Sequence, residues 1–295
     1  MKLVRFFLVL TFAASLLALV SCGSKENKQD GSNEFAEAQE SLQSEIKTVV
    51  YQLPPPTEIP YMLQAAGADF NGNLINDKNK ADQYTSQPDK AALNLGVYAA
   101  DIGYLSSYDK TQDAIDYLNS ARKLADNLGL VGSFDAEVLR RFESNISNKD
   151  SLANIVNRTL EKSDKYLKDG SRAKQSALVL TGSFTEGLYI ATGIVKTYPK
   201  DILPEDSRNL ILTPLMRNIL DQRKSVDEVV KMLSSVDQNE PIPSLLADFK
   251  ALQASYTALN IDDQIRNNKA NMVLSDKNLV EITTIVERIR KSIVQ

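Results

Sequence analysis

The stretch Ala177–Val195 contains a single charged residue, Glu186. A carboxylate in such apolar company has to be paired, hydrogen-bonded or protonated, because an isolated buried anion is very unfavourable. Thr185 and Tyr189 flank it and complete a candidate binding point. A second set lies upstream, where Asn94, Tyr98, Asp101 and Tyr108 recur at i, i+4, i+7 and i+14 and so share one face of a helix. That face is aromatic and amphipathic, a composition that suits ligand or partner contact. If Asp101 and Glu186 met, two carboxyl groups could act as general acid and base in the manner of a glycosidase. The plainer reading leads in both cases: a structural ion pair for Glu186, and half-buried tyrosine packing with the hydroxyls in water.

What the chain lacks narrows the chemistry further. It has no histidine, which removes Ser-His-Asp and Cys-His nucleophile pairs, histidine metal sites and imidazole pH switches. Its one cysteine, Cys22, permits no intramolecular disulfide. No cofactor, metal or catalytic residue is expected, and no phosphate-binding glycine loop is present. With 34 Lys and Arg against 38 Asp and Glu, the balance is mildly acidic, which disfavours nucleic acid as a partner.

The elements that must position these side chains are helical. Apolar spacing follows the helical period almost throughout, without sustained alternation of the strand type. The expected helices cover about Glu34–Val50, a short one capped by Thr57 and stopped by Gly67, and Lys90–Tyr108. The next runs through Ala114 to Leu128 and ends at Gly129. Ser133, Asp150, Ser171 and Ser275 read as N-caps of later helices, and Ser225-Val-Asp-Glu228 as a capping box. Pro204 and Pro214 delimit a kinked or paired helix, and Pro241 and Pro243 precede another that reaches about Leu259. Leu53-Pro54-Pro55-Pro56 is a stiff extended linker. The three glycines 182, 187 and 193 within one apolar helix imply close approach of neighbours, since each costs a helix about 1 kcal/mol against alanine. The last helix carries the stripe Leu279, Ile282, Ile285, Val286, Ile289 and Ile293, which argues for docking onto the core. The fold class is all-α: a compact multi-helix bundle of about ten helices around a long buried central helix.

At the amino end, Lys2 and Arg5 precede the apolar run Phe6–Val20, which closes on Leu19-Val20-Ser21-Cys22. This resembles the bacterial lipoprotein signal, which implies cleavage before Cys22, a diacylglyceryl and palmitate-type anchor on its thiol, and attachment to a membrane. The run is about 15 residues, short of the roughly 20 a transmembrane helix needs. Gly23–Asn33 is small, polar and charged, and reads as a flexible tether. Gly23, in place of aspartate, favours an outer-membrane location facing the periplasm. The organisation is then signal peptide 1–21, lipidated tether 22–33 and one helical domain 34–295.

Ala114-x-x-x-Leu118-x-x-Ala121 resembles the second helix of a tetratricopeptide repeat, and Ile102-Gly103 the Leu-Gly of its first. No second copy follows at the period of about 34 residues, so the hairpin 93–128 stands alone. Ala92-Leu-Asn-Leu-Gly-Val-Tyr98 and Thr181-Gly-Ser-Phe-Thr-Glu-Gly-Leu-Tyr189 are similar to phrases of all-helical bacterial envelope lipoproteins, which implies a fold and an address but no reaction. Asp69-x-Asn71-x-Asn73-x-Ile75-x-Asp77 echoes a calcium loop, yet Gly72 and Lys80 stand where such a loop needs other residues, and an Asn-rich turn is the default. Glu143-Ser144 resembles the catalytic pair of lytic transglycosylases without its downstream partner motif. Asp150-Ser151-Leu152 fits a short O-glycosylation pattern, though Asp150 already has a role as a cap. Taken together, these readings describe a lipid-anchored envelope protein serving as a non-catalytic binding or scaffold module for a protein or peptide. The alternatives are a small-solute receptor lined by Asp101, Glu186 and tyrosines, and a carboxylate-dependent hydrolase.

Overall fold

The structure is a computed structural model that describes residues 53–130, 136–145, 148–169, 172–198, 205–259 and 277–295. Cys22, the tether, the expected first helix and the cap positions Ser133, Ser171 and Ser275 lie outside these residues. Among the described residues every regular element is helical, as the apolar period requires. In order these are α1 (Glu58–Ala65), two 3-10 turns (Gly72–Leu74 and Lys78–Lys80), α2 (Ala81–Tyr84), α3 (Pro88–Ser107) and α4 (Thr111–Asn127). There follow α5 (Ala136–Ser144), α6 (Lys149–Asp169), α7 (Ala173–Thr197), α8 (Glu205–Asp221), α9 (Arg223–Ser234), α10 (Ile242–Ala258) and α11 (Lys277–Val294).

Two helices form the centre. Every residue of α3 from Ala91 to Ser107 is buried, and every residue of α7 from Ser176 to Leu188. A helix enclosed on all sides must be apolar or small nearly all round, which explains the run of Ala, Gly, Leu and Val in both. α7 is long and apolar enough to cross a bilayer, yet 89% of its most apolar window is enclosed by the other helices. α3 packs most extensively on α7, then on α4, while α10 and α11 pair with each other and α11 also packs on α7 and touches α3. The expected stripe of α11 is buried throughout, from Leu279 to Ile293. Burying one such aliphatic side chain stabilises by roughly 1.5–3 kcal/mol, ample to hold a helix of this length.

Helix ends follow local chemistry, with some corrections to the sequence reading. α1 ends at Gly67, whose φ of 79° lets the Ala68 N–H reach back to the Leu63 carbonyl at 3.1 Å. Thr57 precedes α1 but makes no side-chain cap; its hydroxyl donates to Asn157 Oδ1 of α6 at 3.2 Å. α6 is capped by Asn148, whose Oδ1 accepts the Ser151 N–H at 2.9 Å, so Asp150 sits inside the first turn and is not the cap. Ser225 is likewise inside α9 and buried, because that helix starts at Arg223. Helix α8 continues through Pro214 in one piece.

Candidate functional site

The crossing of α3 and α7 sets the geometry of the site. Gly96 and Gly182 let the two backbones touch, and further along each helix this brings Asp101 and Glu186 face to face. Both side chains are fully buried, at 0% exposure. α11 closes the third side with Arg290, which lies on the same flank as the buried Val286 and Ile293. Its guanidinium grips Glu186 as a fork, Nε to Oε2 at 3.0 Å and Nη2 to Oε1 at 3.1 Å. The same cation lies 4.5 Å from the centre of the Tyr189 ring. Asp101 Oδ2 accepts the Asn76 backbone N–H at 3.2 Å.

Two carboxyl groups and one guanidinium thus meet at one place in the interior. Burial pushes the Asp101 carboxyl well above its usual range, and the Glu186 charge pushes it further; Arg290 and the Asn76 N–H oppose this more weakly. Burial also raises Glu186, but its fork to Arg290 holds the shift back. Burial works against the Arg290 cation, and the attraction of Glu186 outweighs it, so its proton is held more tightly than usual.

The face that carries Asn94, Tyr98, Asp101 and Tyr108 is covered by the segment 68–80 and by the end of α11. Tyrosine hydroxyls pin that segment by its backbone. Tyr108 donates to the Ala68 carbonyl at 2.7 Å, Tyr98 to the Asp77 carbonyl at 2.9 Å, and Tyr117 to the Asn76 carbonyl. Tyr104 accepts the Asn71 N–H at 2.9 Å, and Ser120 donates to the Lys78 carbonyl at 3.0 Å. Asn76 is the buried polar side chain of this segment, and its Nδ2 donates to the Tyr84 hydroxyl at 3.1 Å. Tyr84 in turn donates to the Val294 carbonyl at 3.0 Å, and Asn94 Nδ2 to the Ile293 carbonyl at 2.9 Å. The rings pack edge to face, Tyr98 on Tyr117 at 5.8 Å and Tyr104 on Tyr108 at 5.0 Å. Burial raises the phenols of Tyr98, Tyr108 and Tyr117, so they remain protonated donors.

The sequence-derived residues therefore divide cleanly. Asp101 and Glu186 do meet. Asn94, Tyr98 and Tyr108 share their expected face, but it holds the chain's own backbone. Tyr189 is partly buried against Arg290. The echo of a calcium loop resolves into two Asx turns: Asn71 Oδ1 accepts the Asn73 N–H at 3.1 Å and Asp77 Oδ1 the Asn79 N–H at 2.9 Å. Arg290, Asn76, Tyr84 and Tyr117 were not foreseen. Spacing could have found Arg290, which falls at i+4 from Val286 and i−3 from Ile293 of the apolar stripe, whereas Arg288 and Lys291 turn away from it and are exposed.

Two acids within hydrogen-bonding reach of each other are closer than the roughly 5–5.5 Å at which a retaining glycosidase places its pair. The arrangement resembles a dyad sharing one proton. Water and substrate would have to reach two side chains that expose no surface. The better-formed cavities lie elsewhere. One of about 60 Å³ opens between Leu53–Pro56 and the helices α6 and α7, lined also by Leu160, Leu180 and Phe184. Another, about 10 Å³, lies near Phe142 and Ile155. Ligand pockets ordinarily measure about 300 Å³ or more. Comparison with family models, with curated proteins and with solved structures finds no match for this chain.

Proposed function

We propose that this chain is a lipid-anchored protein of the cell envelope, acylated at Cys22 and facing the periplasm from the outer membrane, whose helical body is a non-catalytic binding or scaffold module for a protein or peptide partner. The observation that carries the non-catalytic reading is the enclosure of Asp101 and Glu186. Among the described residues the Asp101 and Glu186 side chains expose no surface, Glu186 is taken by Arg290, and one oxygen of Asp101 by the Asn76 backbone. Residues arranged in this way position helices and covering segments; they do not present a reacting atom to a solute. The anchor reading is supported by the Lys2/Arg5, apolar-run and Cys22 pattern and by the tether that follows it.

The test has two arms. The full chain produced in a bacterial host should partition into detergent and carry the mass of an acylated Cys22, and Cys22→Ser should release it to the soluble fraction; a chain recovered soluble with residues 1–21 intact overturns the anchor. In intact cells, cross-linking should join the wild-type body to another envelope protein, while a thermal-shift panel of amines, sugars and amino acids leaves its melting temperature unchanged. A solute that stabilises the wild type and not Glu186→Gln overturns the scaffold reading in favour of solute binding.

A further inference from the structure

We propose that Asp101 and Glu186 hold one proton between them, carried on Asp101, and that this proton latches α11 to the core, so that the C-terminal helix loosens when alkaline solution removes it. The bonding pattern leads to this assignment. Both oxygens of Glu186 are taken by the Arg290 fork, which identifies Glu186 as the anion. Asp101 Oδ2 is taken by the Asn76 N–H. Asp101 Oδ1 is buried with no donor aimed at it, although the Asp101 and Glu186 carboxyls lie within hydrogen-bonding reach. Contact between two carboxylate oxygens is repulsive; with a proton on Oδ1 it becomes an O–H···O⁻ bond, and the orphan oxygen is satisfied.

Charge counting gives the same answer. The groups facing Asp101 are Glu186 from α7, Arg290 from α11, Asn76 from the segment 68–80, Tyr84 from α2, Tyr98 from α3 and Tyr117 from α4. Asp77 and Lys90 stand one step further out, Asp77 accepting from Tyr98 through its carbonyl and Lys90 lying 5.8 Å from the Tyr84 ring. Arg290 is the one cation among the facing groups. With the proton present, the trio Asp101, Glu186 and Arg290 is neutral. Without it, two buried anions oppose one guanidinium, and the excess charge has no counterpart. The strain falls on α11, whose polar links to this region run through Arg290, the Ile293 carbonyl and the Val294 carbonyl.

An acid held neutral in the folded state binds its proton more tightly there than in the unfolded chain, whose aspartate has the ordinary value of 3.8. The folded state is therefore favoured at and below that value. The advantage is lost progressively as pH rises from there to the folded pKa, and is flat above it.

The test is Asp101→Asn in the full chain, since asparagine reproduces the neutral acid: its Oδ1 can accept the Asn76 N–H and its Nδ2 can donate to Glu186. Hydrogen exchange of the α11 amides is compared between wild type and variant, at about pH 4 and about pH 9, each pair at one pH so that intrinsic exchange cancels. The expected result is equal protection at the lower pH and roughly tenfold less protection of wild-type α11 at the higher, one pKa unit of coupling being tenfold. Equal protection of the two proteins at both values, or loss of α11 protection in Asp101→Asn at the lower pH, overturns the proposal. Should the variant not fold, infrared difference spectra of the wild type, labelled with carbon-13 in its aspartate carboxyls, decide the matter. A carboxylic-acid band at neutral pH that disappears on alkalinisation with α11 protection supports the latch, and its absence overturns it.

Discussion

Gly96 and Gly182 face one another's helices at a single crossing. A Cβ on Gly96 would stand 2.0 Å from the Val179 carbonyl oxygen, and one on Gly182 would stand 2.0 Å from the Leu93 carbonyl oxygen. Backbone cannot yield as a side chain does, so the two central helices would have to move apart, and with them Asp101 and Glu186. Either Gly96→Ala or Gly182→Ala should lower stability by about 3 kcal/mol or more, despite the better helix propensity of alanine. Gly187 is the control, because a Cβ there meets only the end of Ile59 at 3.3 Å. Gly187→Ala should be within about 1 kcal/mol of wild type. Denaturant midpoints of the three variants check the contrast.

Glu186 grips Arg290 through Nε and Nη2, so removing it leaves a largely enclosed cation without its carboxylate fork. Glu186→Gln should cost about 3–5 kcal/mol. Arg290→Met should cost a similar amount by leaving two acids together, whereas the double variant Glu186→Leu/Arg290→Met should be milder than the sum, since an apolar pair of similar volume needs no counter-charge. A double-mutant cycle on unfolding free energy reads the coupling. Additive losses would show that the fork does not hold α7 and α11 together.

The tyrosine pins are unequal because their acceptors differ in access to water. Asp77 is exposed, and its carbonyl can turn to solvent when Tyr98→Phe removes the donor, at a cost of about 0.5–1.5 kcal/mol. Asn76 is 2% exposed, so Tyr117→Phe leaves a buried carbonyl unpaired and should cost about 1–3 kcal/mol. Limited proteolysis within residues 68–80 should follow the same order, faster in Tyr117→Phe than in Tyr98→Phe.

Periodicity made the helices legible, and the glycines of α7 announced a close neighbour. They did not say which one. The partner glycine, Gly96, sits in a helix whose own apolar pattern looks amphipathic, because Asn94, Asp101 and the tyrosines read as an outward face. The structure buries that face under a segment too rich in Asn and Asp to look like a cover. A polar segment can serve as a lid only if its backbone groups find partners, and the tyrosines that supply them come from two different helices, α3 with its C-cap Tyr108 and α4. Likewise, Glu186 could be read as a buried acid needing a partner, but the partner is more than a hundred positions away on a helix with several cations. Caps failed for a local reason: Ser, Thr and Asp compete for neighbouring backbone groups, and at α6 the nearer Asn148 takes the position that Asp150 was expected to hold.

Ion pairs on the same fold should respond to removal according to burial. Lys168 and Asp164, one turn apart on α6, are 8% and 9% exposed and meet at 2.7 Å. Asp164 also accepts the buried Ser176 hydroxyl from the start of α7, so one carboxylate ties the end of α6 to the helix that follows. Asp164→Ala removes both bonds at a buried position and should cost about 3–5 kcal/mol, insensitive to salt because the pair is shielded from mobile ions. Ser176→Ala leaves Lys168 in place and should cost about 1 kcal/mol. The pair Lys123 and Asp82 has the same chemistry at 3.1 Å but is 56% and 74% exposed. Asp82→Asn should change stability by less than about 1 kcal/mol, and whatever it contributes should vanish as salt is raised. Denaturation midpoints at low and high salt separate the two cases, and equal losses at the two sites would mean that α6 and α7 are not held by their buried polar link.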